Sequence, residues 1–164
     1  AQQGHFLEAS KSFSLVSLES EEYPRAQYLL GCALNHLDQL EYYRQSLSAF
    51  HRSRESFRQW KKKIPLDLYY QQGFAEFHCG IYFDAVQNLT LFIEKSDEDR
   101  RDPGYFTRGQ IYLRLSHYKE ALDDFNRINE KKGSQSCYSL CLQGRTLCFL
   151  HQFDQGMEYF QRAV

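Results

Sequence analysis

Apolar side chains recur along the chain in steps of three and four residues, the spacing that places side chains on one face of an α-helix. The most regular element is an aromatic residue, followed three positions later by a small residue and four positions after that by a large apolar residue. It occurs at Phe6-Ala9-Phe13, Tyr43-Ser46-Phe50, Tyr82-Ala85-Leu89, Tyr118-Ala121-Phe125 and Phe153-Gly156-Phe160. The small residues lie 37, 39, 36 and 35 residues apart, so the pattern predicts a helical repeat.

A second series, made of glycines, has closely matching intervals. Its members lie 42, 36 and 35 residues apart and are Gly31, Gly73, Gly109 and Gly144. Three of them follow a proline by 6 to 8 residues, and these prolines are Pro24, Pro65 and Pro103. Proline is tolerated in the first turn of a helix and not in its interior, so the prolines predict where helices begin. Each unit is therefore predicted to hold two antiparallel helices, the first carrying the glycine and the second carrying the aromatic–small–apolar face.

Together the two series resemble the tetratricopeptide repeat, whose signature has a period of about 34 residues. The residues that match this signature best are Gly109, Tyr112, Tyr118, Ala121 and Phe125. The resemblance covers nearly the whole chain. It implies an all-α solenoid of helical hairpins wound into a right-handed superhelix, in which the first helices line a concave surface that receives peptides.

The repeat divides the chain into units of a single array. Residues 1–20 are expected to form the second helix of an incomplete unit, and three repeats follow at 24–60, 66–99 and 102–133. A fourth repeat, 137–164, is incomplete at its C-terminus. Neither end shows the polar capping that a solenoid usually needs, so we expect a piece of a longer array within a larger protein.

Composition and charge limit the function classes. The chain has 164 residues, 25% of them charged, with a net charge of −1, so nothing attracts it globally to nucleic acid or to a membrane surface. No apolar run approaches the roughly 18 residues of a membrane span, and the N-terminus lacks the features of a signal peptide. Five irregularly spaced cysteines fit a reducing compartment, which predicts a cytoplasmic or nuclear protein.

Catalytic and metal chemistry find little support. The sequence has no phosphate-binding glycine loop and no nucleophile elbow, so we expect no enzyme. Cys137, Cys141, Cys148 and His151 suggest a zinc site, but Cys141 and Cys148 would be separated by a rise of about 10 Å along one helix. Four ligands so placed cannot converge on one ion, so we expect no metal and no cofactor.

The residues three before and one after each glycine are the predicted groove residues, because the resemblance places them on the concave surface. This set is Tyr28, Cys32, Tyr70, Phe74, Phe106, Gln110 and Arg145, with Cys141 at the remaining position. Its aromatic members are favoured anchors in recognition surfaces, which predicts binding of a partner polypeptide segment. The alternative is that these rings pack between helices. The histidines at His36 and His78 occupy equivalent places and could face the same groove, although tolerated polar residues are the simpler interpretation.

A basic run offers a second hypothesis. It contains Trp60 and the cations Arg52, Arg54, Arg58, Lys61, Lys62 and Lys63. A basic patch with an aromatic residue can bind nucleic acid, whereas the simpler interpretation is a solvated helix face. A third hypothesis is self-association through uncapped ends or a helix face.

One position departs from the apolar pattern. Glu76 falls where the other units have Leu34, Tyr112 and Leu147. Because a buried carboxylate needs hydrogen-bond partners, we expect Glu76 either to be paired, with a tyrosine hydroxyl as a candidate partner, or to be rotated toward solvent.

Overall fold

The computed structural model describes residues 2–128 and 137–164, and within these ranges the chain is helical with no β-strand. A 3-10 helix covers Glu98–Arg100. The nine α-helices of these ranges are α1 (Gln2–Ser14), α2 (Tyr23–Asn35), α3 (Leu40–Gln59), α4 (Leu66–His78), α5 (Tyr82–Lys95), α6 (Asp102–Arg114), α7 (Tyr118–Arg127), α8 (Cys137–Phe149) and α9 (Phe153–Arg162). The all-α prediction is confirmed. The predicted repeat boundary at 133 lies outside the described residues.

None of the helices in the described part of the chain combines the length and the apolar character needed to cross a membrane.

The helix starts follow the prolines. Pro24 and Pro103 lie in the first turns of α2 and α6, where the missing N–H costs no hydrogen bond. Pro65 immediately precedes α4 with an extended backbone, at φ −60° and ψ 137°. The prediction that prolines mark the starts of the first helices is confirmed.

The turns after the first helices share one backbone conformation. A residue in the left-handed region follows each of these helices: Asp38 (φ 49°), Gly80 (φ 77°), Ser116 (φ 61°) and His151 (φ 61°). These positions lie 42, 36 and 35 residues apart, the intervals of the glycine series. After α6, the His117 N–H donates to the Tyr112 carbonyl at 2.8 Å, which satisfies a carbonyl of the last turn.

The helices group into two compact units, residues 1–88 and 89–164. In the first unit α2 packs against α1, α3 and α4, and α3 also packs against α4. In the second unit α6 packs on α7, α7 on α8, and α8 on α9.

Glycines permit close packing within three of the hairpins. A Cβ atom added at Gly31 would overlap the Phe50 ring, and one at Gly109 would lie 2.7 Å from the Phe125 ring. In the last hairpin, a Cβ at Gly144 would lie 2.9 Å from the Gly156 carbonyl oxygen, so there the two backbones themselves approach. In these hairpins the large apolar residue of the second helix, Phe50, Phe125 or Phe160, therefore occupies the space that a side chain on the first helix would need.

Glu76 is buried and paired, at 4% exposure. Asn88 Nδ2 donates to both carboxylate oxygens at 3.0 and 2.8 Å, and Gln72 Nε2 donates to Oε1 at 2.8 Å. Arg54 Nη2 in turn donates to Asn88 Oδ1 at 2.9 Å. Burial raises the pKa of Glu76, and the hydrogen bonds from the Asn88 and Gln72 amides offset part of that effect. The predicted hydrogen-bonded pairing is confirmed, with side-chain amides as the partners instead of a tyrosine hydroxyl.

The second unit contains a buried ion pair that the repeat pattern did not reveal. Arg108 donates through Nε and Nη2 to the two oxygens of Asp124 at 2.8 and 2.7 Å, and through Nη1 to Thr90 Oγ1 at 2.7 Å. The side chains are 15% and 4% exposed. Burial opposes the charge of Arg108, but the Asp124 carboxylate outweighs burial and the pKa of Arg108 is raised.

Candidate binding surface

The predicted groove residues of the first unit are half-buried. Tyr28, Cys32 and Phe74 pack against a core cluster that includes Tyr43 and Phe50. Burial raises the pKa of the Cys32 thiol to about 11, so this thiol stays protonated and unreactive at neutral pH. These half-buried side chains therefore contribute to the core of the first unit and keep part of their surface accessible.

Two of the predicted groove residues, Tyr70 and Phe74, line a cavity of about 460 Å³ in the first unit. The other lining residues come from the end of α2, the turn after it, and the helices α3 and α4: Asn35, His36, Asp38, Tyr43, Gln71 and His78. Both histidines of the equivalent pair therefore face one cavity.

Aromatic packing builds the wall of this cavity. The His78 ring stacks on Tyr43 with centroids 4.3 Å apart and an angle of 8°, and it lies 4.5 Å from Phe74. His36 stacks on Phe6 of α1 at 4.5 Å. Because each ring is held by another ring, the wall is organised before any ligand arrives.

The polar groups of the cavity include both donors and acceptors. The Tyr43 hydroxyl donates to Asp38 Oδ1 at 2.8 Å, and burial, followed by the nearby Asp38, raises the pKa of Tyr43 far above its ordinary value. Asn35 Nδ2 donates to the carbonyl and to Oε1 of Gln71 at 3.0 and 3.1 Å. The Asn35 Oδ1 is buried and receives no hydrogen bond from the described residues.

In the second unit, the predicted groove residues Phe106 and Gln110 meet Tyr138, a residue that the spacing argument missed. The Phe106 ring centroid lies 5.8 Å from that of Tyr138, and Gln110 Nε2 is 3.4 Å from the Tyr138 hydroxyl. Tyr138 is 57% exposed. It lies one helical turn before Cys141, and this spacing from a predicted groove position is the sequence feature that could have indicated its location. Arg145 is exposed. Alignment of Tyr28, Tyr70 and Phe106 along one surface stays a prediction.

The cations of the basic run differ in their contacts: three of them form hydrogen bonds to other parts of the first unit, and the rest are exposed. Arg52 Nε donates to Gln27 of α2 at 3.0 Å, whereas Arg54 is half-buried, bonds to Asn88 of α5 and lies 4.9 Å from the centre of the Tyr69 ring. Lys62 Nζ donates to the Glu21 carbonyl at 3.0 Å. The remaining cations, Arg58, Lys61 and Lys63, are exposed.

In residues 2–128 and 137–164, no group of three or more histidine, cysteine, aspartate or glutamate side chains is arranged to hold a metal ion. Cys137 and Cys141 are exposed, and Cys148 is half-buried.

Solved structures of MamA share this fold. A crystal structure of MamA matches with a TM-score of 0.81 at 15% identity, over 99% of this chain and 82% of the MamA chain. A MamA fragment from residue 41 to its end, from Desulfovibrio magneticus RS-1, also gives 0.81, at 14% identity over 99% and 85%. No protein-family model matches the chain. At these identities the likeness shows the fold alone, an all-α helical repeat of the tetratricopeptide type.

Proposed function

We propose that this chain is a non-enzymatic interaction scaffold that binds a segment of a partner polypeptide along the exposed faces of its first helices. The observation that carries the proposal is the aromatic cavity of the first unit. Tyr70 and Phe74 of α4 line it together with residues at the end of α2, in the turn after α2, and in α3 and α4. We further propose that it acts in the cytoplasm or the nucleus as part of a larger protein.

The size and chemistry of the cavity suit an amino-acid side chain. A volume of about 460 Å³ lies at the lower end of the range for sites that enclose a whole small molecule, roughly 300–1,000 Å³. Its aromatic walls provide large contact areas, and aromatic side chains are frequent binding hot spots. A peptide could place one side chain in the cavity and extend along the neighbouring helices.

Self-association is the second candidate, and one observation favours it. Phe153 and Met157, one turn apart on α9, are 58% and 55% exposed, so this helix carries an uncovered apolar face. Nucleic-acid binding through the basic run is less well supported, because Arg54 and Lys62 already bond to other parts of the first unit.

A selection from a random decapeptide display library tests the peptide-binding proposal. We expect the selected peptides to lose about 30-fold or more in affinity for Tyr70→Ala, because truncating an anchor typically costs about 2 kcal/mol. Phe83→Ala is the matched control, since Phe83 is an exposed aromatic residue of the same unit that does not line the cavity.

Thermal unfolding of both variants must accompany the affinities. Lost affinity with nearly normal stability supports the cavity as the binding site, whereas a large fall in melting temperature assigns Tyr70 to the core. Failure to select any peptide that binds the wild-type chain would contradict the proposal.

A further inference from the structure

We propose that the cavity of the first unit is a pocket for the basic side chain, arginine or lysine, of the bound segment. This inference rests on the proposed function and adds the chemistry of one anchor. It follows from three properties of the cavity: a carboxylate that forms no ion pair with the described residues, a buried acceptor that receives no hydrogen bond from them, and aromatic faces.

The carboxylate belongs to Asp38. One of its oxygens accepts the Tyr43 hydroxyl, and no ion pair to Asp38 forms within residues 2–128 and 137–164. An ionised carboxylate has about four lone-pair sites, so one hydrogen bond leaves most of its capacity unused. The lining residues include no lysine or arginine in the described part of the chain. Asp38 is therefore the carboxylate that a cationic side chain would meet in the cavity.

The buried acceptor is Asn35 Oδ1. The orientation of this amide is fixed because its Nδ2 donates to the backbone carbonyl of Gln71, which cannot itself donate. That orientation leaves Oδ1 without a partner among residues 2–128 and 137–164, on a residue that is only 6% exposed. A buried acceptor without a donor is costly, and a ligand that brings several N–H groups would relieve that cost.

The aromatic faces complete the match. Tyr70 and Phe74 line the cavity and are half-buried, whereas the Tyr43 ring, which also lines it, is stacked on His78. A cation within about 6 Å of an aromatic ring is attracted to its face, and guanidinium groups also stack on it. The first unit already uses this contact, because Arg54 lies 4.9 Å from the Tyr69 centroid.

Other occupants fit less well. An acidic side chain would meet the Asp38 carboxylate without any lysine or arginine among the lining residues to balance it. An aliphatic side chain would cover Asp38 and Asn35 without bonding to either, which adds a desolvation cost. An arginine or lysine side chain can donate hydrogen bonds to the acceptors and also contact the aromatic rings.

Asp38→Asn is the variant that tests the role of the negative charge most directly. Asp38 has φ 49°, and asparagine is among the few residues that adopt this left-handed region readily. Its amide oxygen can still accept the Tyr43 hydroxyl, so the substitution removes the charge and keeps the turn. Glu55→Gln is the matched control, because it also removes one negative charge from the first unit at an exposed residue outside the cavity.

The test selects random decapeptides on the wild-type chain and on both variants. We expect one enriched arginine or lysine in wild-type binders, and the same enrichment on Glu55→Gln. On Asp38→Asn that enrichment should weaken. For the best peptide, replacing the basic residue by glutamine should weaken binding about 5- to 20-fold on wild type but only about 2- to 4-fold on Asp38→Asn, because the exposed Asp38 contributes an ion pair while the ring contact remains in the variant.

Peptides that bind through Tyr70 but show no basic residue would overturn this inference and leave the proposed function intact. A basic residue whose contribution is unchanged by Asp38→Asn would overturn it as well, since the charge would then be recognised elsewhere. If no peptide is selected at all, both the inference and the proposed function fail.

Discussion

Replacement of Asn88 by alanine should show how the fold tolerates a buried carboxylate. Asn88 Nδ2 supplies two of the three hydrogen bonds that Glu76 receives, and Gln72 supplies the third. In Asn88→Ala, the carboxylate keeps only the Gln72 bond at a site that is 4% exposed.

The expected cost follows from these contacts. A hydrogen bond to a charged group contributes about 1.5–3 kcal/mol, and leaving a buried charge underpaired costs still more. Arg54 also loses its bond to Asn88, but this side chain is only half-buried and water can replace part of that bond. We therefore expect Asn88→Ala to lower the free energy of unfolding by about 2–4 kcal/mol near pH 8.

The cost should depend on pH in a definite direction. Burial raises the pKa of Glu76, so the folded state holds the proton more tightly than the unfolded state. Stability from this group is therefore greatest below the ordinary carboxyl range and decreases as pH rises through the raised folded pKa. Removing Asn88 raises that pKa further, and each additional pKa unit corresponds to about 1.4 kcal/mol. The variant should therefore lose less stability at low pH, where the carboxyl is protonated, than near pH 8.

Urea unfolding followed by far-ultraviolet circular dichroism measures both quantities. The double variant Glu76→Gln/Asn88→Ala is the control, because it has no carboxylate to titrate and should lose the additional pH dependence. Equal costs at the two pH values, or a cost below about 1 kcal/mol near pH 8, would refute the role assigned to Asn88.

Two further predictions concern the hairpins of the second unit. Gly109→Ala should lower the free energy of unfolding by about 1–3 kcal/mol, because the new Cβ would lie 2.7 Å from the Phe125 ring; thermal unfolding measures this, and unchanged melting would contradict the packing. Ser116→Gly should raise stability by about 0.5–1 kcal/mol, because Ser116 has φ 61°, which glycine adopts without strain. Chemical denaturation checks that sign, and a destabilised Ser116→Gly would show that the hydroxyl matters more than the backbone.

The helices could be predicted from the sequence because their signals are local. Proline has the same effect wherever it begins a helix, so Pro24 and Pro103 locate α2 and α6 without any tertiary information. The left-handed residues at the ends of the first helices were less predictable. Gly80 carries the expected residue type, but Ser116 and His151 adopt the same conformation without it. There the repeating hairpin geometry outweighs the local preference of the residue.

The candidate site was only partly predictable because it combines residues from separate elements. Tyr70 and Phe74 follow from their distance to Gly73, and the equivalent spacing of His36 and His78 indicated that they could share a surface. Asp38 gave no such signal, because it reaches the cavity only through the turn that follows α2. Its importance depends on a bond to Tyr43 that the repeat pattern does not encode.

The buried polar pairs add information that the apolar repeat lacks. Asn88 and Asp124 occupy equivalent positions, each three residues after the small residue of its second helix, yet Asn88 bonds to Glu76 and Asp124 bonds to Arg108. If α4 packed against α7, Glu76 would face Asp124, and two buried carboxylates would repel each other at a cost that neither native pair carries. Repeat proteins are prone to pairing between the wrong helices because their apolar faces are alike. These polar pairs therefore favour the native assignment of each first helix to its own second helix.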